Sequence, residues 1–133
     1  MSTQISVVSV PVSDVDRAKH FYSEVLDFDV VMDNSFGAGA MRWVMLRPTG
    51  GGTAITLVTW FDTMKPGSLN GSVLAVDNLE EAVAQYTARG LALADGGKIS
   101  AEFWGRWVSF TDPDGNAWVL QQDAVRPATP PAD

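Results

Sequence analysis

The sequence predicts an α+β fold built from two βαβββ modules, and three observations predict it. The first is an internal repeat. Val12-Ser-Asp-Val-Asp-Arg-Ala18 and Val76-Asp-Asn-Leu-Glu-Glu-Ala82 share one pattern, and at the same spacing of 64 residues Tyr22 matches Tyr86 and Arg42-Trp43-Val44 matches Arg106-Trp107-Val108. The second is that each half runs from a short apolar strand through a polar capping pair into a helix-like segment. The third is punctuation: Gly50-Gly-Gly52 and Asp112-Pro-Asp-Gly115 fall at nearly matching places between strand-like stretches and read as hairpin turns.

Taken in order, Ile5 to Val12 is rich in β-branched residues, which suit a pleated strand. Ser13 or Asp14 can cap the helix that follows, and Val15, Ala18, Phe21 or Tyr22, Val25 and Leu26 give residues 14–26 one apolar face. Strands are expected near 28–33, 40–47 and 53–60. The second half repeats this with a strand near 72–76, a helix near 78–89 closed by Gly90, and strands near 91–95, 105–111 and 116–122. The modules span about 4–62 and 68–122 of a single domain, 1–122. Residues 123–133, rich in Pro and Ala, are expected to form a flexible tail.

Composition narrows the function classes. Nine basic against sixteen acidic residues give a net charge of −7, which repels phosphate backbones and anionic lipid, so neither nucleic acid nor membrane is an expected partner. The absence of cysteine excludes disulfides, thiolate metal sites and cysteine nucleophiles. No basic region leads into a long apolar stretch at the N-terminus, and the cytoplasm is the expected location. The glycine runs lack the lysine and following helix of a phosphate-binding loop.

Three stretches carry a family resemblance: Val10-Pro-Val-Ser-Asp14 with Arg17-Ala18 and Phe21-Tyr-Ser-Glu-Val-Leu26; Val76-Asp-Asn78 through Gly90; and Phe110-Thr-Asp-Pro-Asp-Gly-Asn116. Over residues 5 to 122 the chain resembles the vicinal oxygen chelate superfamily, which includes glyoxalase I, bleomycin-resistance proteins, fosfomycin-resistance enzymes and extradiol dioxygenases. The resemblance implies two modules whose curved mixed sheet encloses a cleft, usually in a homodimer. In metal-dependent members, His, Gln or Glu side chains on cleft-facing strands hold the ion. Carried over by position, those places fall on Val7, Thr56, Gly71 and Val119. Valine and glycine offer no lone pair and one hydroxyl cannot hold zinc or iron, so no metal and no cofactor are expected. His20 lies on the first helix beside Phe21 and reads as a surface imidazole. Glu24, Glu80 and Glu81 belong to helices, and Glu102 sits in an irregular stretch.

Alternation then names the cleft wall. Ser9 and Pro11 accompany Val7, Val73 and Ala75 accompany Gly71, and Ala117 and Gln121 accompany Val119, while Val58 and Trp60 follow Thr56. Trp118 and Leu120 point to the helix layer. Trp43 and Trp107 occupy equivalent positions and read either as cleft or as core. Trp60 and Trp104, next to Phe61 and Phe103 at strand edges, read as a ligand clamp or as a dimer seam. Arg42 and Arg106 fit either an outer face or an acidic partner. The expected ligand-binding set is Val7, Ser9, Trp43, Thr56, Trp60, Gly71, Val73, Trp104, Trp107, Val119 and Gln121.

This wall suits a metal-independent protein that binds a small organic molecule, sequestering or carrying an aromatic or partly apolar ligand. The alternative is a glyoxalase-like lyase or isomerase, or a dioxygenase-type enzyme, with non-standard catalytic residues. Glu102, Asp95, Tyr22 and the two arginines are its candidate groups, and they form no recognisable acid–base pair.

Overall fold

The computed structural model describes residues 1–37 and 41–124. The expected C-terminal tail lies outside the described residues from 125 onward. The element order is βαβββ twice, with one four-stranded mixed sheet per repeat. The chain divides into two compact units. Among the described residues, one comprises 1–37 and 41–69 with the turn 112–116, and the other 70–111 and 117–124.

In the first unit, β1 (Val7–Pro11), β4 (Ala54–Val58), β3 (Met41–Arg47) and β2 (Asp29–Phe36) lie side by side in that order. β1 pairs with β4 in parallel, and the other pairings are antiparallel. The helix α1 (Val15–His20) starts at Asp14, whose extended backbone lets its carboxylate accept from the Arg17 N–H at 3.1 Å. The next turn, Phe21–Val25, widens to π geometry, while Ser23 Oγ bonds back to the Lys19 carbonyl. Asp27, at φ +61, ends the helix in the left-handed conformation, and the Phe28 N–H donates to the Tyr22 carbonyl.

Register sorts the two faces of this sheet. Val44 lies beside Leu57 and Leu57 beside Val10, and all three are buried with Leu46. Ion pairs from α1 to Asp33 and Arg42 place the helix on this same face, where Ala18, Tyr22 and Leu26 are buried. The opposite face therefore carries Ser9, Thr56, Met45, Trp43, Met32 and Phe36, which are neighbours by register.

The turn 112–116 completes the first unit. Asp112 is buried, and its carboxylate accepts four hydrogen bonds, from the Tyr22 hydroxyl, Asn116 Nδ2 and the backbone N–H groups of Asp114 and Asn116. Asn116 also donates to the Pro11 carbonyl and accepts from the Leu69 N–H. Asp114 accepts from both the backbone N–H and the hydroxyl of Ser13. Gly67, at φ +81, passes so close that a Cβ there would run into the Asp114 carbonyl oxygen. Gly67→Ala is expected to cost roughly 2–4 kcal/mol, from backbone strain plus the clash, and urea denaturation against the parent measures it.

The second unit repeats the plan with β5 (Ser72–Ala75), β8 (Ala117–Asp123), β7 (Gly105–Thr111) and β6 (Ser100–Glu102) in that order. Asn78 caps α2 (Leu79–Ala88), and Gly90, at φ +107, follows its end. Trp118 and Leu120 are buried with Val108 and Phe110, as expected of the helix-side core. The strand expected near 91–95 is a correction. Only Leu93 bridges to Phe110, residues Ala94–Gly97 form a 3-10 turn, and Asp95, Gly96 and Gly97 all take positive φ. Left-handed residues cannot continue a pleated ladder, so the edge strand forms later, at β6. Glu102, expected in irregular chain, lies on that strand opposite Gly105.

Candidate functional site

The helix-free face of the first sheet gathers five of the expected ligand-binding residues in one unit. Ser9 and Thr56 are register partners whose hydroxyls lie 3.4 Å apart, and Val7 sits one pleat period before Ser9. Thr56 is fully buried, while Val7 and Ser9 are half-buried. Trp43 and Trp60, both half-buried, have ring centroids 6.4 Å apart with planes inclined by 33°. Trp60 also meets Phe36 edge-on at 6.3 Å and Phe61 at 5.9 Å, so it is the hub of the aromatic cluster. Phe36 and Phe61 remain about half exposed. Met32 and Met41, beside Met45 and Phe36 in the ladder, extend this surface with exposed thioethers that suit aromatic contacts.

Sequence reasoning missed Phe36, Met32 and Met41. Phe36 was hidden because the strand holding it was expected to stop near residue 33. Alternation along the longer β2 places it on the tryptophan face.

In the second unit, Val73 pairs with Val119 and Trp107 with Gln121 on one face of the sheet. Val73 is exposed, and Val119, Trp107 and Gln121 are half-buried. Gly71 precedes β5 in irregular chain, and Trp104 lies in the turn between β6 and β7, where its carbonyl accepts from the Ala124 N–H. Neither belongs to a strand face. A separate recess of about 290 Å³ lies among Ala75, Val76, Asp77, Gln122 and Asp123. No aromatic side chain lines it, and Gln122 and Asp123 are already engaged, by Leu79 and Arg106 and by Gln121.

The two repeat arginines find acidic partners. Arg42 binds Asp33 through two nitrogens at 2.8 Å and reaches Asp16 at 2.7 Å, while Lys19 adds a second cation to Asp33. These bonds, from Arg42 first and Lys19 second, hold the Asp33 carboxyl well below the usual carboxylate range, and the bond to Asp33 raises the Arg42 guanidinium. Arg106 grips Glu80 in the same manner and also bonds Gln122, which pulls Glu80 down to about 2. Asp16 and Glu80 are themselves repeat mates, each the second residue of its helix. The arginines therefore tie helix starts to sheets. Tyr22, another candidate catalytic group, is fully buried and donates to Asp112.

At the four positions implied for metal ligands the side chains are Val7, Thr56, Gly71 and Val119. Among the described residues no group of three or more His, Cys, Asp or Glu is placed to hold an ion. His20 is exposed at the end of α1. This donor set does not fit a divalent metal. Among the described residues no helix is long and apolar enough to cross a membrane.

The comparisons agree with this architecture. The family model described as Glyoxalase/Bleomycin resistance protein/Dioxygenase superfamily matches residues 4–120. The chain belongs to that superfamily. Within the glyoxalase/bleomycin resistance superfamily, the crystal structure of TnmS3, an antibiotic binding protein from Streptomyces sp. CB03234, is similar. It is 41% identical, with 92% of this chain and 98% of TnmS3 covered at a TM-score of 0.81. A second solved structure, a glyoxalase/bleomycin resistance protein from the same organism, is 44% identical over 88% of this chain and 98% of its own, with a TM-score of 0.75. Among curated proteins, the uncharacterized protein YetH of Bacillus subtilis (strain 168) is 31% identical over 125 residues, 92% of this chain and all of YetH. The predicted fold class and family resemblance are both borne out.

Proposed function

We propose that this protein binds a small organic molecule without a metal and sequesters or carries it, the ligand being aromatic or partly apolar. The observation that carries the reading is the aromatic cluster centred on Trp60 on the helix-free face of the first sheet. Flat rings offer large contact area at low entropy cost, and the half-buried Ser9, whose hydroxyl lies 3.4 Å from that of the buried Thr56, supplies a sparse polar group on the same face to orient a ligand. Likeness to an antibiotic binding protein supports an antibiotic-like ligand, and the poor donor set at the family's ligand positions supports metal independence. The reading includes a homodimer, by family resemblance alone, and the cytoplasm as the default location.

The test titrates the purified protein with a panel of planar aromatic antibiotics while tryptophan emission is recorded. Saturable quenching is expected, with the compound recovered unchanged and a chelator without effect. Chemical conversion of the compound, or binding that a chelator abolishes and a divalent metal restores, would overturn it.

A further inference from the structure

We propose that Asn70–Gly71 is a site of spontaneous covalent modification, at which the asparagine converts to aspartate and isoaspartate. Asn70 is exposed in irregular chain just before β5, and its side chain makes no hydrogen bond among the described residues. Gly71 is exposed as well, at φ +81, with nothing within 4 Å of the place a Cβ would occupy. Gly71 has no side chain to hinder approach of its backbone nitrogen to the Asn70 side-chain carbonyl carbon, and the space around it is open. Attack forms the Gly71 N–Cγ bond and breaks the Cγ–Nδ2 bond, and ammonia leaves with the amide proton. Water then opens the resulting succinimide at one carbonyl to give aspartate, or at the other to give isoaspartate. No oxidant or reductant is consumed.

The chain's other three asparagines are each held away from this reaction. Asn116 is buried, with its amide engaged by Pro11, Asp112 and Leu69. Asn78 Oδ1 caps α2, and the Leu79 N–H, the nucleophile there, is bound to Gln122. Asn34 lies within β2 opposite Trp43, where ladder bonds hold the backbone extended. The selectivity is thus conformational.

The location gives the change consequence. Leu69 closes the first compact unit and Asn70 opens the second, so isoaspartate would lengthen the main chain by one methylene at this crossing. Every conversion also adds a negative charge to a chain already at −7.

The experiment ages the full chain at mildly alkaline pH and follows each asparagine by peptide mapping, with isoaspartyl methyltransferase labelling as a second readout. Conversion at Asn70 is expected to run roughly tenfold or more faster than at Asn34, Asn78 or Asn116. The Asn70→Gln variant is expected to lose the label. Equal or faster conversion at any other asparagine, an Asn70 that stays an amide throughout, or labelling that persists undiminished in Asn70→Gln would each overturn the proposal.

Discussion

Asp112→Ala is expected to lower stability by roughly 3–5 kcal/mol, a large part of what a domain of this size holds in reserve. One buried carboxylate accepts four hydrogen bonds, so its removal takes an acceptor from two backbone N–H groups, the buried Tyr22 hydroxyl and the Asn116 amide, which keeps only its bond to the Pro11 carbonyl. Tyr22→Phe removes one of those donors and the hydroxyl with it, and should cost only about 1–2 kcal/mol. Thermal denaturation of the three proteins side by side checks the order, with Tm falling by roughly 10–20 °C for Asp112→Ala. If Asp112→Ala melts within a few degrees of the parent, the turn is surface decoration and not an anchor of the first unit.

That anchor was only half legible in the sequence. Asp-Pro-Asp-Gly announces a turn because Pro and Gly carry fixed and positive φ, and this local chemistry survived folding. The partner of Asp112 is Tyr22, 90 residues away in the chain, and no local rule points to it. The arginines show the opposite case. Arg42 and Arg106 are repeat mates, and the same spacing links Asp16 to Glu80, so the repeat itself carries both pairings. Strand limits failed where backbone conformation overrode composition. Leu91-Ala-Leu-Ala looks like a strand, but the left-handed Asp95-Gly-Gly that follows turns the chain out of the ladder. The π turn at Phe21–Val25 left no mark that periodicity could detect. It decides whether Phe21 or Tyr22 faces the core, and Tyr22 does.

Trp60→Ala is expected to weaken binding of any ligand found in the antibiotic titration by roughly 30-fold, the loss of about 2 kcal/mol typical of a central aromatic contact. The reason is position within the cluster. Trp60 touches Phe36, Trp43 and Phe61, so its removal deletes a contact surface and also loosens the three rings that remain. Trp43→Ala removes a single partner of that hub and should cost less. Trp107 is the repeat mate of Trp43, but it lies beside Gln121 and no aromatic ring packs on it among the described residues. Trp107→Ala should therefore have the smallest effect of the three. Calorimetric titration gives the three affinities without relying on tryptophan emission, and circular dichroism confirms that each variant is folded. The ranking separates two locations for the ligand. An effect of Trp107→Ala equal to that of Trp60→Ala would move binding onto the second sheet, where Val73, Val119 and Gln121 would have to supply the contacts without an aromatic cluster.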